Sequence, residues 1–195
     1  MRGKLIAIEG IDGAGLTTQA VLLRNHLMQK YKVVLTKEPT DGLIGGIIKS
    51  CLRREWKTDN QTLQTLFAAD RSHHIATEIE PAMKEGKIVI SDRYILSAIA
   101  YGMFGLPMSF LTQINSTFRK PDVTILLDTQ PAVCLERIKK SRHHLELFED
   151  EQKMAAIRKN FLAVKNYFPE TYLIDGNSHF EGIHKEIRKI VMKSL

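Results

Sequence analysis

Five short apolar runs punctuate the chain: Leu5 to Glu9, Lys32 to Thr36, Ile88 to Ser91, Val123 to Asp128 and Tyr172 to Asp175. They are rich in Val, Ile and Leu and do not alternate with polar residues. That is the pattern of strands covered on both faces, as in a parallel sheet. Between the runs the spacing becomes helical. Thr17 to Lys30 carries Val21, Leu22 and Leu27 on one side, and further helices are predicted near Leu63 to Glu85, Ile95 to Met103, Pro131 to Lys140, Glu149 to Tyr167 and His179 to Lys193. This alternation predicts one α/β domain over residues 1–195, a five-stranded parallel sheet with right-handed crossovers and helices on both faces. Two stretches break the rhythm, Glu38 to about Asn60 and the polar Lys139 to Glu146. Insertions of this kind often act as lids, because ligands bind beyond the carboxyl ends of the strands.

Composition narrows the class. With 195 residues, 44% of them hydrophobic and 26% charged, the chain can bury a single sizeable core. A disordered chain, a fibrous repeat and a small disulfide scaffold are excluded. Lys and Arg number 28 against 22 Asp and Glu, a formal charge of +6. The surplus suggests an anionic partner: nucleic acid, a membrane surface or small phosphorylated molecules. Cys51 and Cys134 lie far apart, which reads as reduced thiols in an intracellular protein. The first apolar run is too short for a signal peptide, and no stretch nears the ~18 apolar residues of a membrane span. The expected setting is soluble and cytoplasmic.

The sharpest motif follows the first run. Glu9-Gly10-Ile11-Asp12-Gly13-Ala14-Gly15-Leu16-Thr17-Thr18 matches the phosphate-loop pattern G-x-x-x-x-G-K-[ST] at Gly10, Gly15 and Thr17. Such glycines let several N–H groups face one anion in front of a helix N-terminus, and Thr17 would place its hydroxyl on magnesium. Leu16 stands where the pattern has lysine, the residue that reaches the β and γ phosphates. Three readings are open: a glycine-rich turn with no ligand, a damaged phosphate site, or a site where another cation compensates, namely Lys37, or Lys139, Lys140 or Arg142 in the polar segment.

Two helical faces add weaker signals. Phe67 and Arg71 are four apart and share a face, pairing an aromatic plane with a guanidinium suited to a flat heterocycle. Asp92 closes the third run, where an acid can hold magnesium; Arg93, Ser97 and Tyr101 then recur every four residues. Each has an ordinary structural explanation when taken alone. The adjacent pairs His73-His74 and His143-His144 read as polar surface, since neighbours on a helix point ~100° apart and chelate poorly. Arg53 to Lys57, basic around Trp56, reads as an exposed helix end rather than a nucleic-acid patch.

Taken together, these residues resemble the thymidylate kinase family. The resemblance rests on E-G-I-D-G-A-G-x-T-T-Q, on Thr36-Lys37-Glu38-Pro39 against the family's T-R-E-P, and on T-L-F-A-A-D-R-S-H-H-I. It extends through P-A-M-K-E-G-K-I-V-I-S-D-R-Y-I-L-S-A-I-A-Y to Ile174-Asp175-Gly176, covering essentially the whole chain. It implies a P-loop NTPase fold with a monophosphate-binding region near residues 36–75 and a lid near 139–148. The implied reaction is magnesium-dependent phosphoryl transfer from ATP to dTMP, giving dTDP, by a homodimer with apolar helices such as those of Phe67 and Ile99 near its interface. Carried over, Phe67 would stack on thymine, Arg71 contact its exocyclic oxygen, Arg93 and Lys37 bind the dTMP phosphate, Asp12 take the sugar 3′-hydroxyl, and Tyr101, on the face it shares with Ser97, disfavour ribose. Asp92, Glu38 and Thr17 would organise magnesium and the acceptor phosphate. The backbone from Asp12 to Thr18 would cradle the donor phosphates, and Asp175 to Asn177 would lie near adenine.

Some family members carry a catalytic arginine inside the loop; others have glycine there and supply cations from the lid. Gly13 places this chain with the second kind and makes Arg142 the first candidate, with Arg137 and Lys140 behind it. Leu16, Leu147 and Gly102 depart from the family's usual lysine, arginine and glutamine. The resemblance also gives the net charge an address: Lys37, Arg71, Arg93, Lys140 and Arg142 favour small phosphates over DNA or membrane. Two alternatives remain open. One is a kinase for another nucleoside monophosphate or a deoxynucleoside; the other is a nucleotide-binding relative impaired in catalysis.

Overall fold

The computed structural model describes residues 3–141 and 146–195. Five parallel strands, β1 (Lys4–Gly10), β2 (Val33–Lys37), β3 (Ile88–Asp92), β4 (Val123–Asp128) and β5 (Thr171–Asp175), form one sheet in the order β2-β3-β1-β4-β5. The registers place Ile6 beside Ile90 on one flank of β1 and beside Val123 on the other. The three inner strands are buried along nearly their whole length, as their uninterrupted apolar runs require. The outer two are not: β2 is half-buried, and Tyr172 and Leu173 of β5 are exposed. Continuous apolar sequence identified these strands without revealing that they form the sheet edges.

Helix α1 (Leu16–Leu27) and α9 (Phe180–Ser194) cover one face. On the other lie α3 (Asn60–His74), α5 (Ile95–Gly102), α6 (Met108–Asn115) and α8 (Glu151–Val164), with α7 (Pro131–Ser141) against α8. The helix expected over Leu63 to Glu85 is three pieces: α3, a single π-turn at Ile75–Ile79, and α4 (Glu80–Lys84). Pro81 lacks the N–H that would bond back to Thr77, and the ladder shifts there. Two helices escaped the periodicity. One, α2 (Leu43–Leu52), lies inside the segment from Glu38 to Asn60; the other is α6.

The chain leaves β1 toward β2 on one side and leaves β3 toward β4 on the other. The carboxyl ends of β1 and β3 therefore flank the switch point of the sheet, where open α/β folds bind ligands. Among the described residues no helix is long and apolar enough to cross a membrane. Cys51 and Cys134 are buried free thiols.

Candidate active site

The loop after β1 wraps the start of α1. Gly15 caps that helix in the left-handed region at φ +98°, with no side-chain cap and no acid in the first turn, so the helix start favours an anion. Gly13 sits at φ +76°, and a Cβ there would lie 2.6 Å from the Cys134 carbonyl oxygen of α7. No arginine fits at this position with α7 in place. Leu16 is 5% exposed and belongs to the core, packed against Gly10 of the loop. Thr17 Oγ1 donates to Asp92 Oδ2 at 2.5 Å, joining the ends of β1 and β3.

Arg93, just past β3, adopts φ +71°, an uncommon conformation for a residue with a side chain and one that clusters at functional sites. Its guanidinium reaches across the switch point. Nη1 donates to the Gly10 carbonyl at 2.7 Å and to Ser97 Oγ at 3.3 Å, and Nη2 to Asp12 Oδ1 at 2.6 Å. The other Asp12 oxygen accepts from Tyr101 Oη at 2.9 Å. Burial, against the pull of Arg93, pushes the Tyr101 phenol well above its usual pKa, so it serves as a neutral donor. Ser97 itself donates to Glu9, whose carboxylate also accepts from the N–H groups of Leu96 and Ser97 at 3.0 and 3.1 Å. Glu9 thereby caps α5 from a neighbouring strand, because Tyr94 at the helix start offers no side-chain cap. Burial raises the Glu9 pKa to about 7, opposed by the Ser97 hydrogen bond and by Arg93. Sequence spacing gave no hint of this cap.

A narrow cleft of about 60 Å³ opens beside Arg93. Phe67, Arg71, Ser97 and Tyr101 line it, as expected, together with Gln64 and Phe148, which sequence reasoning did not single out. Phe148 packs edge-on against Tyr101, with ring centroids 5.2 Å apart. Arg71 is 1% exposed. Its Nε and Nη2 donate to Glu38 Oε2, Nη2 also to the Tyr94 carbonyl, and Nη1 to Asn115 Oδ1. A guanidinium carries five N–H bonds, and one on Nη1 has no acceptor among the described residues.

Helix α3 braces the end of β2 and the segment after it at three further points. Asp70 accepts from the N–H and hydroxyl of Thr40 at 2.8 and 2.6 Å. His74 Nδ1 lies 3.1 Å from Glu38 Oε1, and its Nε2 lies 2.7 Å from Thr36 Oγ1. His74 is therefore not surface, unlike His73: the ~100° between neighbours turns one inward and one outward. Both Glu38 oxygens are engaged by Arg71 and His74, an arrangement its expected part in a metal site did not foresee. Lys37 is half-exposed and paired with Asp41 at 3.2 Å.

A second, more open cavity lies over the phosphate loop and shares Asp12, Glu38 and Arg93 with the cleft. Thr17, Asp92, Lys37 and Arg137 line it, and so do Lys49 and Arg53 of the α2 end, cations that the sequence reading left aside. Arg137 donates to the Ala14 and Gly176 carbonyls at 3.3 and 3.2 Å, tying the loop to the turn after β5. In that turn Asn177 bonds Asp175 and accepts from the Gln130 N–H. Lys140 forms a surface ion pair with Glu136 instead of facing either cavity. Arg142, His143 and His144 lie outside the described residues. At the far end of the expected lid, Leu147 N–H donates to Leu52 O at 2.9 Å, joining it to α2.

Comparisons with known proteins agree with this geometry. A family model described as thymidylate kinase matches residues 8–187. A probable thymidylate kinase of Pyrococcus horikoshii is 40% identical, covering 100% of this chain and 98% of the relative. Another, from Pyrobaculum calidifontis, is 42% identical over 97% and 96% of the two chains. That of Archaeoglobus fulgidus is 39% identical over 98% and 96%. With its phosphate loop, its paired cavities and this full-length likeness, the chain belongs to the thymidylate kinase family.

Proposed function

We propose that the protein phosphorylates dTMP to dTDP with ATP and magnesium, a step toward dTTP. The observation that carries this reading is the shared wall: the phosphate cavity and the nucleoside cleft meet at Asp12, Glu38 and Arg93. Two nucleotides placed one in each would bring their phosphates together at Arg93.

The backbone of Gly10, Ile11, Asp12, Gly13, Ala14, Gly15, Leu16, Thr17 and Thr18 cradles the donor phosphates. Asp175 and Asn177 flank the adenine. In the cleft, Phe67 stacks on thymine and the remaining Nη1 N–H of Arg71 donates to its carbonyl. Asp12 accepts from the 3′-hydroxyl, while Tyr101 and Ser97 close the sugar side. Arg93 binds the acceptor phosphate, and Lys37 leaves Asp41 to assist it. Glu38 acts through Arg71, fixing the guanidinium that reads the base.

Thr17 Oγ1 and Asp92 Oδ2 are hard oxygen donors close together, which suits magnesium. When bound, the ion neutralises charge on the transferred group. The transfer otherwise needs positioning and cations. Arg137, beside the loop, and Arg142 supply positive charge where Leu16 supplies none. The family likeness supports a homodimer acting in the cytoplasm. Ile99 is fully buried within one protomer, so its own side chain does not face a partner.

A second reading, nucleotide binding with impaired transfer, is favoured by the burial of Leu16. A coupled assay of ADP release with dTMP, dUMP, dCMP and thymidine separates the two. Turnover fastest on dTMP supports the kinase. Tight ATP binding without turnover on any acceptor, in both the natural protein and Leu16→Lys, overturns it.

A further inference from the structure

Gln64 occupies the face of α3 that also carries Phe67 and Arg71, at spacings of three and seven residues. All three line the same cleft. Gln64 is 3% exposed, and its Oε1 has no hydrogen-bond partner among the described residues. Buried side-chain acceptors are nearly always bonded, so an orphan on a pocket wall calls for a partner that arrives with the ligand. Nothing at position 102 competes for the space. A Cβ on Gly102 would stand 3.1 Å from Gln64 Cδ and 2.4 Å from Leu111 Cδ2. The glutamine amide fills the room that the missing side chain leaves.

We infer that Gln64 determines base specificity, its Oε1 accepting the ring N–H of a pyrimidine that pairs such an N–H with a neighbouring carbonyl. This rests on reading the cleft as the acceptor-base pocket. Arg71, on the same cleft wall, offers the complementary half, the Nη1 N–H that has no acceptor among the described residues. Thymine and uracil present a carbonyl beside N3–H. Cytosine presents an amino group beside a bare N3, so donor would meet donor at Arg71, which has no acceptor to offer, and acceptor would meet acceptor at Gln64 in the amide orientation seen here. A site built from buried polar groups rejects such a mismatch strongly, because its own groups are left unpaired.

The test compares dissociation constants for dTMP and dCMP, measured by competition on the natural protein and on Gln64→Met, which keeps volume and removes the acceptor. The expected result is about tenfold weaker dTMP binding with dCMP changed less than about twofold, so that the preference for dTMP falls about tenfold. The ratio does not depend on how much of the preparation is folded. Phe67→Ala, measured alongside, isolates the pocket assignment. If it weakens dTMP while Gln64→Met leaves the dTMP-to-dCMP ratio unchanged, the pocket stands and the role of Gln64 is overturned. If neither variant alters dTMP binding, the base sits elsewhere and both readings fall.

Discussion

Glu38 Oε2 accepts from both Nε and Nη2 of Arg71, at 2.9 and 2.6 Å, with the two side chains 3% and 1% exposed. Removing one partner strands the other charge in the interior. Glu38→Ala should lose roughly 3–5 kcal/mol of stability. Replacing both residues by Met should lose far less, yet remove dTMP affinity. Urea unfolding and dTMP titration of the single and double variants measure the two effects.

Glu9 gives a pH dependence. Its folded pKa, about 7, lies above the ordinary 4.5 because burial disfavours the charged form. The folded state thus holds a proton more tightly than the unfolded state. The stability this contributes is complete below the unfolded value and is lost as pH rises through about 7. The natural protein should lose about 3 kcal/mol relative to Glu9→Gln between pH 4.5 and pH 7.5. Parallel unfolding curves across that range check the sign. A natural protein that holds or gains stability relative to Glu9→Gln as pH rises contradicts the burial of this carboxyl.

The strands and the phosphate loop were legible because they depend on neighbouring residues. An apolar run or a glycine spacing is complete within about ten positions. The rest of the site is assembled from distant segments. Asn115 meets Arg71 across 44 residues and Glu9 meets Ser97 across 88, and no local pattern announces either. Helix α2 was hidden for another reason. Its Gly45-Gly46 pair reads as a break, but a Cβ at 45 would lie 2.1 Å from the Thr40 carbonyl oxygen, so the first glycine serves close approach. Gln64 carries no signal in its own sequence neighbourhood, because the cleft it lines is built from distant segments.

Thr17 and Asp92 should control the metal requirement. Thr17→Ala should raise the magnesium concentration for half-maximal rate about tenfold, and Asp92→Asn should lower kcat by about 10²–10³. Rate against magnesium at saturating nucleotides separates the Thr17→Ala effect from a loss of folding, which lowers the plateau alone, and thermal unfolding of Asp92→Asn separates its lower kcat from a smaller folded fraction.

Gly13→Ala should be destabilising by about 2–4 kcal/mol, from the left-handed backbone and the contact with the Cys134 carbonyl. Gly15→Ala, where nothing lies within 4 Å of the added Cβ, should show only the backbone part, about 1–2 kcal/mol. Thermal unfolding of the two variants compares them directly.

That contact between Gly13 and α7 also constrains descent. A chain whose loop is pressed against a helix carbonyl cannot acquire an arginine at residue 13 by one substitution, because α7 would have to withdraw first. Residue 16 is already helical but 5% exposed, so a longer side chain there meets core packing. Positive charge added to the loop is therefore shut out at residue 13 by a packing distance and at residue 16 meets the core.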